Sequence, residues 1–123
     1  LDNWPAHLTL FQEKAALYHK YLNSINCIAL QKGFGITWVS SSCVIKTKKE
    51  TAESLQQYLR QNSIESRRWW AHPCHLQPAY TKYLRQQEMA NTQELSEKVL
   101  GLPFFSDMSH EDIQYVCSLL KKF

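Results

Sequence analysis

The chain has 123 residues, 44% of them hydrophobic and 20% charged, with a formal net charge of +3. This length suits a single domain with a buried core. The apolar runs are only a few residues long, so the composition excludes a membrane-spanning segment, and nothing resembles a secretion signal. The charge is too mild and too dispersed to indicate a nucleic-acid partner. The sequence starts at Leu1 without a methionine, and we expect it to have been cut from a longer protein.

The four cysteines are widely spaced and lie within apolar patterns, where cysteine serves as a small buried hydrophobe. They would suffice for two disulfides in a secreted protein. Their spacing includes no paired Cys-x-x-Cys unit, so a structural zinc site is not expected. The spacing and apolar surroundings of the cysteines favour a protein that resides in the reducing cytoplasm. The cysteines are Cys27, Cys43, Cys74 and Cys117.

The first half of the chain predicts a helix, two strands and a second helix. Pro5 suits the start of the first helix, and Asn23 with Ser24 ends it. Its apolar face recurs at steps of three and four residues, at Leu8, Phe11, Ala15, Tyr18 and Leu22. Residues 25–30 and 36–46 have strand character, with a glycine turn at 31–35 between them and an interruption at Ser40–Ser42.

The second helix is predicted to open with a capping box, in which Thr47 precedes Glu50 by three residues. It should end near Asn62. Its buried face comprises Ala52, Leu55, Tyr58 and Leu59.

The second half predicts a strand at 64–70, a long loop at 71–92 and two further helices. The loop shows no clear period apart from a helical turn around residues 80–85, and we expect it to be mobile. A helix at 93–100 is broken by Gly101 and Pro103. Ser109 is a good N-cap for the last helix, with acidic residues in its first turn. The predicted fold is therefore α+β, a small antiparallel sheet of about three strands covered by helices.

Chemistry-bearing side chains are concentrated in residues 66–80, which include two arginines, two tryptophans, two histidines and a cysteine. Arginine can hold a phosphate or carboxylate through two parallel hydrogen bonds, and an indole can cover a sugar or base ring. Strand alternation predicts that at least one of Trp69 and Trp70 is core and that one of Arg67 and Arg68 faces solvent. The segment suits a polar ligand that carries a ring and a phosphate.

Three other interpretations of this segment have less support. His72, Cys74 and His75 have no fourth ligand at a recognisable spacing, so a metal site is not expected. A Cys74 nucleophile activated by His75 is disfavoured because adjacent residues rarely converge on one hydrogen bond. Stacking on single-stranded nucleic acid is disfavoured by the low net charge.

The segment resembles the C-terminal region of the DegT/DnrJ/StrS superfamily of sugar aminotransferases. The family's Gly-Ile-x-Thr-Arg motif is matched by residues 63–67, with Ser63 replacing the glycine and Ser66 the threonine. The aromatic, proline, histidine, glutamine and tyrosine that follow are in register at Trp70, Pro73, His75, Gln77 and Tyr80. Residues 95–105 and 108–116 are similar to the family's last two segments, so the resemblance spans essentially residues 1–123.

The resemblance implies the small C-terminal domain of a fold type I enzyme, the aspartate-aminotransferase type, which dimerises with a second copy. In such enzymes pyridoxal phosphate (PLP) lies in a large domain, and the amino group of glutamate is transferred through it to a keto sugar nucleotide. The Arg-Trp-Trp form suggests a dTDP-4-keto-6-deoxy sugar. By resemblance His75, Arg67 and Trp70 are substrate-binding candidates. The PLP lysine motif lies upstream in the family, so these residues alone should neither hold PLP nor transaminate.

Two rival interpretations remain. A stand-alone module could recognise a nucleotide sugar or phosphate without catalysis, using the same arginine, tryptophan and histidine cluster. Alternatively, the aromatic patch could dock a partner protein, which predicts binding insensitive to phosphate and an exposed apolar face.

Overall fold

The computed structural model describes residues 3–85 and 87–123. Four α-helices and a three-stranded antiparallel sheet form the α+β fold predicted from the sequence. The helices are α1 (Trp4–Leu22), α2 (Ala52–Gln61), α3 (Ala90–Lys98) and α4 (His110–Lys122). The strands are β1 (Ile28–Leu30), β2 (Cys43–Thr47) and β3 (Val99–Leu102), and a short 3₁₀ helix spans Cys74–Leu76. Among the described helices, none is both long and apolar enough to cross a bilayer.

The order of the sheet is β1-β2-β3, with β2 in the centre. Ile28 pairs with Thr47 on one side of β2, and Cys43 pairs with Leu102 on the other. Burial alternates along β2 because successive side chains point to opposite faces. Cys43, Ile45 and Thr47 are buried against the helical layer, whereas Val44 and Lys46 are half-buried on the opposite face. This second face is the one available to a ligand.

Helices α1 and α4 pack on one another and close the core. Ala15, Tyr18 and Leu22 of the predicted α1 face are buried, whereas Leu8 and Phe11 are only half-buried. The helix ends at Asn23, which was also predicted. In α4 the predicted Ser109 cap is confirmed: its hydroxyl accepts from the N–H of Asp112, whose carboxylate accepts from the N–H of Ser109. Ile113, Val116, Cys117 and Leu120 supply the buried face.

The two strands that precede α2 are shorter than predicted. Ile36 and Thr37 form a turn rather than the start of β2, and Trp38 makes only an isolated bridge to Phe34. The Ser40–Ser42 interruption separates these residues from the strand. The turn at 31–35 is confirmed, with φ of +80° at Gly33 and +68° at Gly35. His19 of α1 fixes this turn, because its Nε2 donates to the carbonyl of Phe34 over 2.6 Å.

The predicted cap of α2 is wrong by four residues. Thr51, not Thr47, is the N-cap, and its hydroxyl accepts from the N–H of Ser54 over 3.2 Å. Thr47 is buried in β2, where its hydroxyl donates to the carbonyl of Glu50. Thr47 fits the local capping pattern, but it pairs with Ile28 in the sheet and therefore does not cap the helix. The predicted face and end of the helix are confirmed, except that Tyr58 is only partly buried.

The third strand is not the predicted one. Residues 64–70 make only one isolated bridge to the sheet, between Arg67 and Gly101, and so do not form a strand. Val99–Leu102 occupies the third position, and the helix predicted for 93–100 begins at Ala90 and ends at Lys98. A four-residue apolar run has no period that distinguishes a strand from the end of a helix.

Candidate functional site

The segment that carries the predicted site residues is attached to the outer edge of β3. The N–H of Arg67 donates to the carbonyl of Gly101 over 2.9 Å, and the N–H of Gly101 donates to the carbonyl of Arg67 over 2.8 Å. The chain then turns away through residues 69–72. This single backbone pair fixes the start of the segment and leaves the tryptophans that follow outside the sheet.

The two tryptophans lie at the surface and pack on one another. Trp69 and Trp70 meet edge to face, with ring centroids 5.5 Å apart and planes at 74°. Their exposed fractions are 54% and 50%, so the prediction that one of them belongs to the core is wrong. Strand alternation was the basis of that prediction, and the segment is not a strand. The two exposed indoles form an apolar wall, and the face of an exposed indole can stack on a ring.

A groove of about 860 Å³ lies beside this wall, on the accessible face of the sheet. Val44 and Lys46 of β2 and Leu95 of α3 line it. Most of its surface is apolar. The polar groups at its wall include His72, Cys74 and His75 from the segment after Trp70, together with Gln31, Lys46, Thr92 and Ser96 from other elements. An apolar cleft with a few polar groups is the usual form of a small-molecule site.

His75 is held in the 3₁₀ helix at the wall of this groove. Its carbonyl accepts from Nη2 of Arg85 over 3.0 Å, and its ring Nε2 lies 3.4 Å from the amide nitrogen of Gln93. These contacts hold the imidazole of His75 at the groove, and an imidazole can form a hydrogen bond with a ligand hydroxyl.

Arg67 is separated from His75 and Trp70 by Trp69. Arg67 lines two other cavities, of about 460 and 720 Å³, and is not among the residues around the groove. Trp69 lines all three spaces. The structure thus brings together Trp70 and His75 and places Arg67 on a different surface.

Arg68 has a structural position that sequence reasoning missed. Its Nη1 lies 3.5 Å from the Glu53 carboxylate of α2, and its Nη2 donates to the carbonyl of Ser96 in α3 over 3.4 Å. The prediction that one arginine of the pair faces solvent is confirmed, since Arg67 is exposed and Arg68 half-buried. The adjacent arginines gave no indication of which one connects the two helices.

The loop at 71–92 is tied to itself by side-chain contacts to backbone. Besides the Arg85 contact, the amide of Gln77 donates to the carbonyl of His72 over 3.2 Å. A helical turn was expected around residues 80–85, but the turns of the structure lie slightly earlier, at residues 78–82. Residue 86 lies outside the described residues. Tyr80, Tyr83 and Leu84 are exposed. The expected mobility of the loop stays a prediction.

Comparison with known proteins identifies the family. The profile of the DegT/DnrJ/EryC1/StrS aminotransferase family matches residues 7–121. The chain belongs to this family. It is 26% identical over 114 residues to GDP-perosamine synthase of Escherichia coli O157:H7, covering 91% of this chain and 30% of that protein.

The solved structures of the family share the fold. DesI, determined in the presence of its TDP-sugar product, superposes with a TM-score of 0.84 at 17% identity, over 99% of this chain and 32% of DesI. A DegT/DnrJ/EryC1/StrS aminotransferase of Brucella abortus gives 0.80 at 21% identity, over 100% of this chain and 32% of that enzyme. The 123 residues therefore span about a third of the length of these proteins.

The groove residues do not fit PLP as a covalently held cofactor. Lys46 is the one lysine among the described residues that line the groove, and its Nζ forms a 2.7 Å ion pair with Glu94. This hydrogen bond and the charge of Lys46 lower the pKa of the Glu94 carboxyl. A PLP lysine must instead give up its charge to act as a nucleophile. No cluster of three metal-ligating side chains occurs within residues 3–85 and 87–123.

Two of the four cysteine thiols, those of Cys43 and Cys117, are buried in the core, whereas Cys74 is exposed at the groove and Cys27 is half-buried. Burial raises the pKa of the Cys43 thiol, and it raises that of Cys117 to about 12. Both thiols are therefore neutral and unreactive at physiological pH. All four cysteines are free thiols in this structure.

Proposed function

We propose that these residues form the C-terminal small domain of a cytoplasmic, homodimeric sugar-nucleotide aminotransferase. The enzyme transfers the amino group of glutamate, through PLP, to a keto sugar nucleotide such as a dTDP-4-keto-6-deoxy sugar. PLP and its lysine belong to a large domain outside these 123 residues, which alone do not catalyse. The observation that carries the proposal is the family match over residues 7–121. The nucleotide-linked sugars named for GDP-perosamine synthase and DesI support the substrate class.

The groove is the part of the substrate site that this domain contributes. Trp70 offers an indole face to a sugar or base ring, and the imidazole of His75 offers a hydrogen bond to a hydroxyl or phosphate oxygen. When bound nearby, PLP supplies the electron sink of the transamination. The domain's own residues bind the sugar nucleotide, orient it and exclude water from one side. Neither nucleic acid nor membrane is required as a partner.

Replacing His75 by alanine tests this role in the full-length enzyme. We expect the kcat/KM for the sugar nucleotide to fall about tenfold or more, because one hydrogen bond to a charged or polar ligand is lost. The half-reaction with glutamate, followed by the absorbance change of PLP, should be nearly unchanged. His7→Ala on the exposed face of α1 is the matched control. Unchanged kinetics of His75→Ala with TDP- and GDP-linked keto sugars would exclude the role.

A nucleotide-sugar- or phosphate-binding module without catalysis is the second candidate. The specific observation in its favour is that Trp70, His72 and His75 meet at one apolar groove of about 860 Å³ within the described residues. The two candidates differ in the gene upstream of the Leu1 codon. The aminotransferase requires a PLP-binding domain with its lysine there, whereas the module requires none and predicts binding of TDP- or GDP-sugars to the 123 residues alone.

A further inference from the structure

A polar cleft lies across Trp69 from the groove. Its volume is about 720 Å³, and it runs between α2 and residues 64–72. Three arginines line it: Arg60 in the last turn of α2, and Arg67 and Arg68 on the opposite segment. The cleft and the groove share Trp69 and His72.

The positive charge of the cleft is only partly balanced. The side chains of Arg60 and Arg67 are exposed and form no hydrogen bond or ion pair with any described residue. Two carboxylates, those of Glu53 and Glu65, also line the cleft. Of these, Glu53 reaches Arg68 at 3.5 Å. Three cationic groups thus face two anionic ones.

Arg68 adds a fixed charge that its partners neutralise poorly. Its contacts to Glu53 and to the carbonyl of Ser96 are long, at 3.5 and 3.4 Å, and its Nε is buried without an acceptor. A charge beside low-dielectric protein acts over a longer distance than one in water. Arg68 therefore strengthens the attraction of an anion to the two exposed arginines without needing to contact it.

Guanidinium groups recognise one chemical class particularly well. Two parallel N–H donors match the oxygens of a carboxylate or phosphate, and such charge-assisted pairs are about twice as strong as neutral hydrogen bonds. We propose that the cleft binds an oxyanion, a phosphate or a carboxylate, between Arg60 and Arg67. The site is separate from the groove, and the inference does not depend on the proposed aminotransferase function.

Calorimetric titration of the full polypeptide that carries this chain tests the proposal. Inorganic phosphate and succinate are the two probes, at constant ionic strength. We expect the variant R60Q/R67Q to bind at least one probe about tenfold more weakly than the parent, since charge-assisted hydrogen bonds are lost. The control K121Q/K122Q removes the same charge from the exposed end of α4 and should change the affinity less than about twofold.

The outcomes distinguish a phosphate ligand from a carboxylate ligand, and binding in the polar cleft from binding in the groove. Loss of phosphate binding alone identifies a phosphate ligand, loss of succinate binding alone identifies a carboxylate, and loss of both identifies a general oxyanion site. Equal affinities in R60Q/R67Q and in the control overturn the proposal, and so does loss of binding in His75→Ala but not in R60Q/R67Q. If the double variant fails to fold, R60K and R67K keep the charge without the fork and should each weaken binding about threefold.

Discussion

The six-membered ring of Trp69 lies against the α-carbon of Gly101, the third residue of β3. A β-carbon built on Gly101 would lie 2.3 Å from Cζ3 and 2.9 Å from Cη2 of this indole. The two backbone hydrogen bonds between Arg67 and Gly101 are made at the same place. The contact with Gly101 and the two backbone hydrogen bonds together determine the position of Trp69 between the groove and the polar cleft.

Gly101→Ala should destabilise the fold and displace Trp69. The added methyl group overlaps the indole, and such overpacking costs about 1–3 kcal/mol in the free energy of unfolding. In a Trp69→Ala background the same change should cost less than about 0.5 kcal/mol, because alanine itself fits a strand. Denaturant unfolding of the four proteins of this cycle measures the difference. Equal costs in both backgrounds would contradict the contact.

Ser63→Gly should stabilise the protein. Ser63 has a φ of 62°, the one positive φ of a non-glycine residue within 3–85 and 87–123. It follows α2 at the position where a helix usually ends with glycine: the N–H of Ser63 donates to Arg60, and that of Ile64 to Leu59. Glycine removes the strain of the left-handed conformation, so we expect a gain of about 0.5–1 kcal/mol in thermal or denaturant unfolding.

The control for Ser63→Gly is Ser24→Gly. Ser24 is exposed in the turn after α1 and does not have a positive φ. Glycine there only adds freedom to the unfolded chain, so a small loss of stability is expected. A loss in both variants would show that Ser63 is not strained.

The cap of α4 should make stability depend on acidic pH. Hydrogen bonds from the hydroxyl and N–H of Ser109 lower the pKa of the Asp112 carboxyl below its ordinary value of 3.8. A carboxyl whose folded pKa is lowered stabilises the fold above the unfolded pKa, and this contribution is lost as the pH falls through the folded pKa. Stability should therefore decline below about pH 4.

Ser109→Ala should reduce this decline, because both the hydroxyl donor and the cap are removed. Loss of an N-cap serine also costs about 1 kcal/mol near neutral pH. Urea unfolding between pH 2.5 and 7 measures both effects. Glu111→Gln, which changes the neighbouring carboxylate without touching the cap, should keep the acid dependence. A parent protein whose stability is flat from pH 5 to 2.5 would argue against the assignment.

The helices could be predicted from the sequence because their determinants are local. The period of α4 and the Ser109 cap occur within a few residues of one another, as do the face and end of α2. The cap of α2 was misassigned because both Thr47 and Thr51 can cap, and only the pairing of Thr47 with Ile28 decides between them. That pairing is a tertiary contact.

The candidate site was predicted in part for the same reason. His75 and Trp70 fall in one groove, but strand alternation misplaced Trp69, since residues 64–70 make only one bridge to the sheet. The separation of Arg67 from the groove follows from the position of Trp69 on Gly101. Nothing near Arg67 in the sequence indicates this contact with β3.

The central position of β2 has a consequence for how the chain is made. Its partner β1 precedes it closely, but β3 follows only after residues 48–98. At roughly 5–20 residues per second, a ribosome needs several seconds to add that stretch. During this time one edge of β2 has unpaired backbone groups, and such an edge pairs readily with other chains. Synthesis that stops before Val99 would therefore release a chain prone to aggregate through its middle strand.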